Sequence, residues 1–190
     1  MTKEELRKIY LQKRLSLSEA EYTELSFQLY QTFFKNIDLT SIKILHTFLP
    51  LKKNKEPDTW LIIDHIQREF PHIRISIPRV DDHTSKLENI FFEGLHQLQK
   101  NKWGIPEPAQ GLPTDPETID MVLIPMLIFD KHGNRIGYGK GFYDKFLPTC
   151  RIDCKRVGIS LFDPVERIED INELDVPVHY CVTPSILYRY

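Results

Sequence analysis

A layered α/β domain with a mainly parallel sheet is the fold class this sequence predicts, and three observations predict it. Helix-like and strand-like segments run in the order helices, strand, helix, strand, strand, loop, strand, helix, strand, strand, an alternation that builds a sheet covered by helices. "IDMVLIP" (119–125) is a nearly continuous apolar run, which suits a central strand buried on both faces. Two capping boxes, Thr2 with Glu5 and Ser18 with Glu21, mark helix starts near the N-terminus.

In the first helical segment Leu6 and Tyr10 share a face; in the second, Tyr22, Leu25, Leu29 and Phe33 form a packing stripe that ends at Asn36 and Asp38. "SIKILHTFLP" (41–50) reads as a strand with Ile42, Ile44, His46 and Phe48 on one face, closed by Pro50, and His46 reads as a core or edge histidine. "LKKNKE" is a polar loop, and Asp58 can cap a helix through "TWLIIDHIQREF" (59–70). "IRISIP" and "LENIFF" are the next strands. From Leu95 to Pro116 prolines and glycines surround "NKWGIPEPAQG", a loop long enough to suggest a function. After "IDMVLIP" come a glycine loop, a short helix around "GFYDKFL" stopped by Pro148, and strands at "RVGIS" and "HYCVT". No repeat or domain boundary is visible, so residues 1–190 read as one domain with an N-terminal helical segment.

Composition narrows the function classes. A net charge of −2 and the lack of a basic stripe argue against nucleic acid as a partner. The longest apolar stretch, "MVLIPMLIF", is far too short to span a bilayer, so no membrane partner is expected. Cys150, Cys154 and Cys181 form neither a disulfide framework nor a zinc-ligand spacing and fit a cytoplasmic protein with reduced thiols. We expect a monomer acting on small molecules.

The chemistry concentrates in "NRIGYGKGFYDKF" (134–146). Gly137, Gly139 and Gly141 lie within five residues of a chain with eight glycines. Glycines allow close backbone approach to a ligand, the first amides of the next helix are free donors, Lys140 and Arg135 add charge, and Asp144 can reach a metal bound to phosphates. The stretch is neither a Walker A motif, because Asn134 and Gly141 stand at its required Gly and Ser/Thr, nor GxGxxG, because Phe142 holds the third glycine position. Local chemistry leaves a phosphate cradle and a tight structural turn level. Phe142 and Phe146 read as packing residues; Tyr143 either lines a pocket or packs.

"DKHGNRIGYGKGFYDKF" resembles the signature of the 5-formyltetrahydrofolate cyclo-ligases, also called 5,10-methenyltetrahydrofolate synthetases. "KEELR", "EPDT", "WGIPEP", "VGISLFD" and "LDVPVHYCVT" resemble further elements of that family in the same order. The resemblance implies a three-layer α/β/α sandwich, similar to the sugar-phosphate isomerase/CoA transferase-like fold. It also implies ATP- and Mg2+-dependent conversion of 5-formyltetrahydrofolate to 5,10-methenyltetrahydrofolate, with ADP and phosphate released. By the same resemblance ATP falls to Lys3, Arg7, Arg135, Gly137, Tyr138, Gly139, Lys140, Gly141, Phe142 and Tyr143. Catalytic roles fall to Lys140, Arg135 and Tyr143, and folate contacts to Leu49, Glu56, Trp103 and Tyr143. Metal ligation falls to Asp144 and Asp175. Many members have His-Asp where this chain has Leu174-Asp175, and an Asp where it has His179. Two alternatives stand beside this reading: an isomerase or transferase of the same fold that needs no ATP, and a non-catalytic nucleotide- or folate-binding protein.

Overall fold

The structure, a computed structural model, describes residues 1–81, 84, 86–101 and 104–190. Both capping boxes form. Thr2 starts α1 (Lys3–Leu15) and Ser18 starts α2 (Glu19–Asn36), each side-chain oxygen accepting from the backbone of the third helical residue while that residue's glutamate reaches back. β1 (Ile44–His46), α3 (Trp60–Glu69), β2 (Arg74–Asp81) and β3 (Lys86–Phe91) follow. Asp58 caps α3 from one position further out than a standard cap: its Oδ1 accepts from the Trp60 amide at 3.2 Å, while Thr59 at the cap position makes no such bond.

The segment read as a loop contains a two-stranded antiparallel ribbon, β4 (Leu98–Lys100) with β5 (Pro106–Pro108). β6 (Met121–Pro125) is the expected buried strand. A second ribbon, β7 (Ile128–Phe129) with β8 (Arg135–Ile136), was not visible in the pattern. It closes around buried Asp130, whose Oδ1 accepts from the His132 and Asn134 amides at 2.9 and 3.0 Å. α4 (Phe142–Phe146), β9 (Lys155–Ile159), β10 (Tyr180–Val182) and β11 (Leu187–Arg189) complete the chain.

Among the described residues the main sheet has seven strands in the order β11-β10-β9-β6-β1-β2-β3. The five central strands pair in parallel and the two edge strands pair antiparallel, which bears out a mainly parallel sheet. Side-chain alternation splits the core into layers. Met121 and Leu123 of β6 face α2 and α3 with Phe33, Ile62 and Ile66. Val122 and Ile124 face the opposite side with Phe146 and Leu147 around α4. Each such buried side chain contributes about 1.5–3 kcal/mol. Helices therefore cover both faces. Asp120, the polar member of the apolar run, is used structurally: its Oδ2 accepts from the Lys43 and Ile44 amides at 2.7 and 2.8 Å and ties β1 beside β6.

The expected single face of Ile42, Ile44, His46 and Phe48 is broken. Only three residues are strand, and Ile42 and Phe48 join the α2/α3 cluster while Ile44 and His46 face α4. The chain turns and bends just before β1, and the regular strand stops after His46, so the period of two does not extend through the segment. No helix among the described residues is long and apolar enough to cross a membrane.

Candidate active site

A cleft of about 1160 Å³ opens at the carboxyl ends of β1, β2 and β6, where open α/β sheets bind ligands. That volume exceeds the usual range for one drug-sized ligand and suits two occupants side by side.

One wall is basic. At 3.6 residues per turn, Lys3, Arg7 and Arg14 fall on one stripe of α1. Lys3 and Arg7 line the cleft, and Arg7 Nε donates to the Gly137 carbonyl at 3.1 Å, so α1 holds the glycine loop directly. Gly139 sits against Arg7 with φ 84°; a Cβ there would meet the guanidinium at 3.2 Å. Gly141 opens α4 with φ 68°, a conformation that side chains resist. The tight turn is therefore real. Gly137, Tyr138, exposed Lys140 and Phe142 also line the cleft, so Phe142 faces it while Phe146 alone packs inward.

Both expected metal carboxylates are in this wall, and each is ion-paired. Arg135 Nη2 lies 2.7 Å from Asp144 Oδ1. Lys3 Nζ pairs with Asp175 Oδ2, which also accepts from the Asn172 amide at 2.8 Å. The Val176 amide donates to Asp144 Oδ1 at 3.1 Å, which brings the Asp175 segment to α4. No group of three or more His, Cys, Asp or Glu suited to a metal occurs among the described residues. Two carboxylates on a wall rich in cations nevertheless fit magnesium, which takes one or two carboxylates and fills its shell with phosphate oxygens and water. His179 Nε2 accepts from Arg156 Nε at 3.1 Å.

The other wall is folded around Glu56. This residue is 4 % exposed, and its Oε2 accepts from the Leu51 amide at 2.8 Å. Burial pushes its carboxyl upward, opposed by the Leu51 amide, the Tyr138 hydroxyl and the Arg14 charge. The surface reading that its charged loop suggests is thus wrong. Leu49 lies beside it in the cleft, and the β4/β5 ribbon adds Ile105, Pro106 and Glu107. Trp103 lies outside the described residues.

Tyr143 joins the two walls. It lines the cleft and also packs on His46 and Phe146, both rings with centroids 6.2 Å from its own. Its buried hydroxyl has no partner among the described residues, and burial raises its pKa.

Arg14 was missed. It is 2 % exposed and reaches the cleft residues from behind. The signal lay in its sharing a stripe with Lys3 and Arg7, but on an amphipathic helix a third basic residue reads as solvated.

A sequence model of the 5-formyltetrahydrofolate cyclo-ligase family matches residues 1–184. A mitochondrial 5-formyltetrahydrofolate cyclo-ligase of Arabidopsis thaliana is 27% identical, over 96% of this chain and 77% of its own. The Mus musculus 5-formyltetrahydrofolate cyclo-ligase is 30% identical, over 76% of this chain and 73% of its own. The NMR structure of Aquifex aeolicus 5,10-methenyltetrahydrofolate synthetase matches at TM-score 0.81 and 27% identity, covering 100% of this chain and 93% of that one. A Mycoplasma pneumoniae 5,10-methenyltetrahydrofolate synthetase shares the fold, with TM-score 0.74 at 24% identity over 97% of this chain and 100% of that one. With a match that spans nearly all of its length, the chain belongs to the 5-formyltetrahydrofolate cyclo-ligase family of enzymes.

Proposed function

We propose that this protein converts 5-formyltetrahydrofolate to 5,10-methenyltetrahydrofolate at the expense of ATP, with magnesium as the metal. The observation that carries this reading is one cleft lined both by the basic groups Lys3, Arg7, Arg135 and Lys140 and by the buried carboxyl of Glu56. The basic wall suits a triphosphate. The opposite wall, with one buried carboxyl among apolar surfaces, suits a flat heterocycle that carries N–H donors.

The formyl group on N5 is an amide, and its oxygen leaves poorly. Transfer of the γ-phosphoryl group to that oxygen lets N10 attack the formyl carbon, close the ring and lose its proton as phosphate departs. The protein's share is positioning and charge stabilisation. Lys140, Arg135 and the glycine-loop backbone hold the phosphates, and Lys3 and Arg7 support them from α1. Glu56, Leu49 and Trp103 orient the pterin, with Tyr143 at the junction of the two ligands. Asp144 and Asp175 would hold magnesium, which when bound would supply neutralisation of the phosphate oxygens. No nucleophilic Ser or Cys is needed.

The test is purified protein with 5-formyltetrahydrofolate, with and without Mg-ATP, followed by methenyl absorbance. Product only with Mg-ATP is expected. Product without ATP, or none with it, overturns the proposal.

A further inference from the structure

Arg14 is the most deeply buried cation of the described residues, 2 % exposed near the end of α1, and it is not itself part of the cleft wall. Its guanidinium reaches three segments that do form that wall. Nε donates to the Asn54 carbonyl at 2.7 Å, Nη1 donates to the Met126 carbonyl at 3.3 Å, and Nη2 donates to the Tyr138 hydroxyl. The guanidinium carbon also stands 5.5 Å from the Tyr138 ring centre. Asn54 belongs to the turn that leads into Glu56, Met126 follows the last residue of β6, and Tyr138 lies in the glycine loop.

Two carbonyls and a phenol are neutral acceptors. A buried charge with only neutral partners is costly, and a counter-charge is expected nearby. Glu56 is that counter-charge: its carboxyl closes the turn that Arg14 grips at Asn54, and Arg14 and the Tyr138 hydroxyl, which accepts from Arg14, both favour its charged form against burial. The ionisable groups facing Glu56 are Arg14 from α1, Tyr22 from α2, Tyr138 from the glycine loop and Tyr143 from α4. Arg14 is the cation among them.

We infer that Arg14 is a positioning residue for the folate side of the site, acting through the Asn54 carbonyl and the Tyr138 hydroxyl to orient Glu56. The inference rests on the proposed role of Glu56 as the pterin contact and deepens it. Tyr138, assigned by resemblance to the nucleotide, thereby joins the two halves of the cleft. Arg14 touches neither ligand; its effect is the direction and charge of the carboxyl.

Tyr138→Phe decides the matter, because it removes the hydroxyl while the ring and both Arg14–carbonyl bonds remain. In the full-length protein we expect the KM for 5-formyltetrahydrofolate to rise on the order of tenfold, the loss of a hydrogen bond to a charged group. The KM for ATP should change by less than about twofold. The acid limb of kcat/KM for folate should move to higher pH, since a carboxylate that loses donors ionises later. Arg14→Met should move that limb the same way and Arg14→Lys, which keeps the charge, should restore it; if Arg14→Met does not fold, Tyr138→Phe still decides. In a Glu56→Gln background Tyr138→Phe should add nothing to the folate KM. An unmoved acid limb with unchanged folate KM in Tyr138→Phe, or losses that add in the double variant, would overturn the inference while leaving Glu56 in place. If Glu56→Gln itself leaves the folate KM unchanged, the reading of Glu56 fails and this inference falls with it. A structural brace alone would lower the melting temperature and move neither KM nor the pH limb.

Discussion

Arg135 Nη2 lies 2.7 Å from Asp144 Oδ1, so an arginine assigned to phosphate and a carboxylate assigned to metal neutralise each other across the glycine loop. Lys3 and Asp175 repeat the arrangement a short way off. Each pair holds one group suited to an anion and one suited to a cation. A metal–triphosphate complex offers both partners at once, so the pairs can exchange without leaving a charge unmatched. Each pairing neutralises and orients its own two groups, while Arg7 and Lys140 leave the wall basic. Asp144→Asn keeps an acceptor for Arg135 and for the Val176 amide but removes the metal-binding charge. We expect the magnesium concentration for half-maximal turnover to rise at least tenfold, and the melting temperature to fall because the Arg135 side chain, 7 % exposed, loses its counter-charge. A magnesium titration read by methenyl absorbance checks this; an unshifted midpoint removes Asp144 from the metal site.

Lys140 is exposed and lines the cleft between two glycines of positive φ. Exposed side chains away from special contacts change stability by only about 0.5 kcal/mol when replaced. Lys140→Met should therefore lower kcat by two orders of magnitude or more while urea unfolding shifts within that margin. Near-normal turnover would sink the phosphate role and return the loop to a structural turn.

Much of this was legible in the sequence because the relevant signals are local. The capping boxes at Thr2 and Ser18 depend on one residue and its third neighbour, and both form. β6 was readable because a central strand must be apolar on both sides, and Asp120 sits at its edge. The ribbons β4/β5 and β7/β8 were not readable: strands of two or three residues are too short to show a period. Arg14 and the burial of Glu56 escaped for a different reason. A charge at such a position normally stays in solvent, and only tertiary packing from distant segments buries each of them.

Glu56→Gln preserves the acceptor for the Leu51 amide and nearly the same volume, so the 51–56 turn should keep its shape. What is lost is the negative charge available to pterin N–H groups. We expect folate binding, measured by calorimetry, to weaken on the order of tenfold or more, the range for a hydrogen bond to a charged group. ATP affinity should stay within about twofold. Unchanged folate binding would take Glu56 out of the site.

His46 gives the fold an acid-sensitive element beneath Tyr143. Its ring is fully buried beside Phe146, and neither nitrogen has a partner among the described residues. Burial disfavours the charged imidazolium and pushes the pKa down from 6.5 to about 3. The unfolded chain takes up a proton as pH falls through 6.5, whereas the folded chain does so only near 3. Stability from this residue is therefore full above 6.5 and declines between 6.5 and 3, by about 1.4 kcal/mol per pH unit. His46→Leu removes the proton uptake. Urea unfolding at pH about 7 and about 5 should show a decline smaller in the variant by about 2 kcal/mol. The comparison is between two pH values within each protein, so any packing cost of the leucine cancels. Equal declines in both proteins would mean that His46 is already protonated in the fold and that its ring finds a partner on acidification.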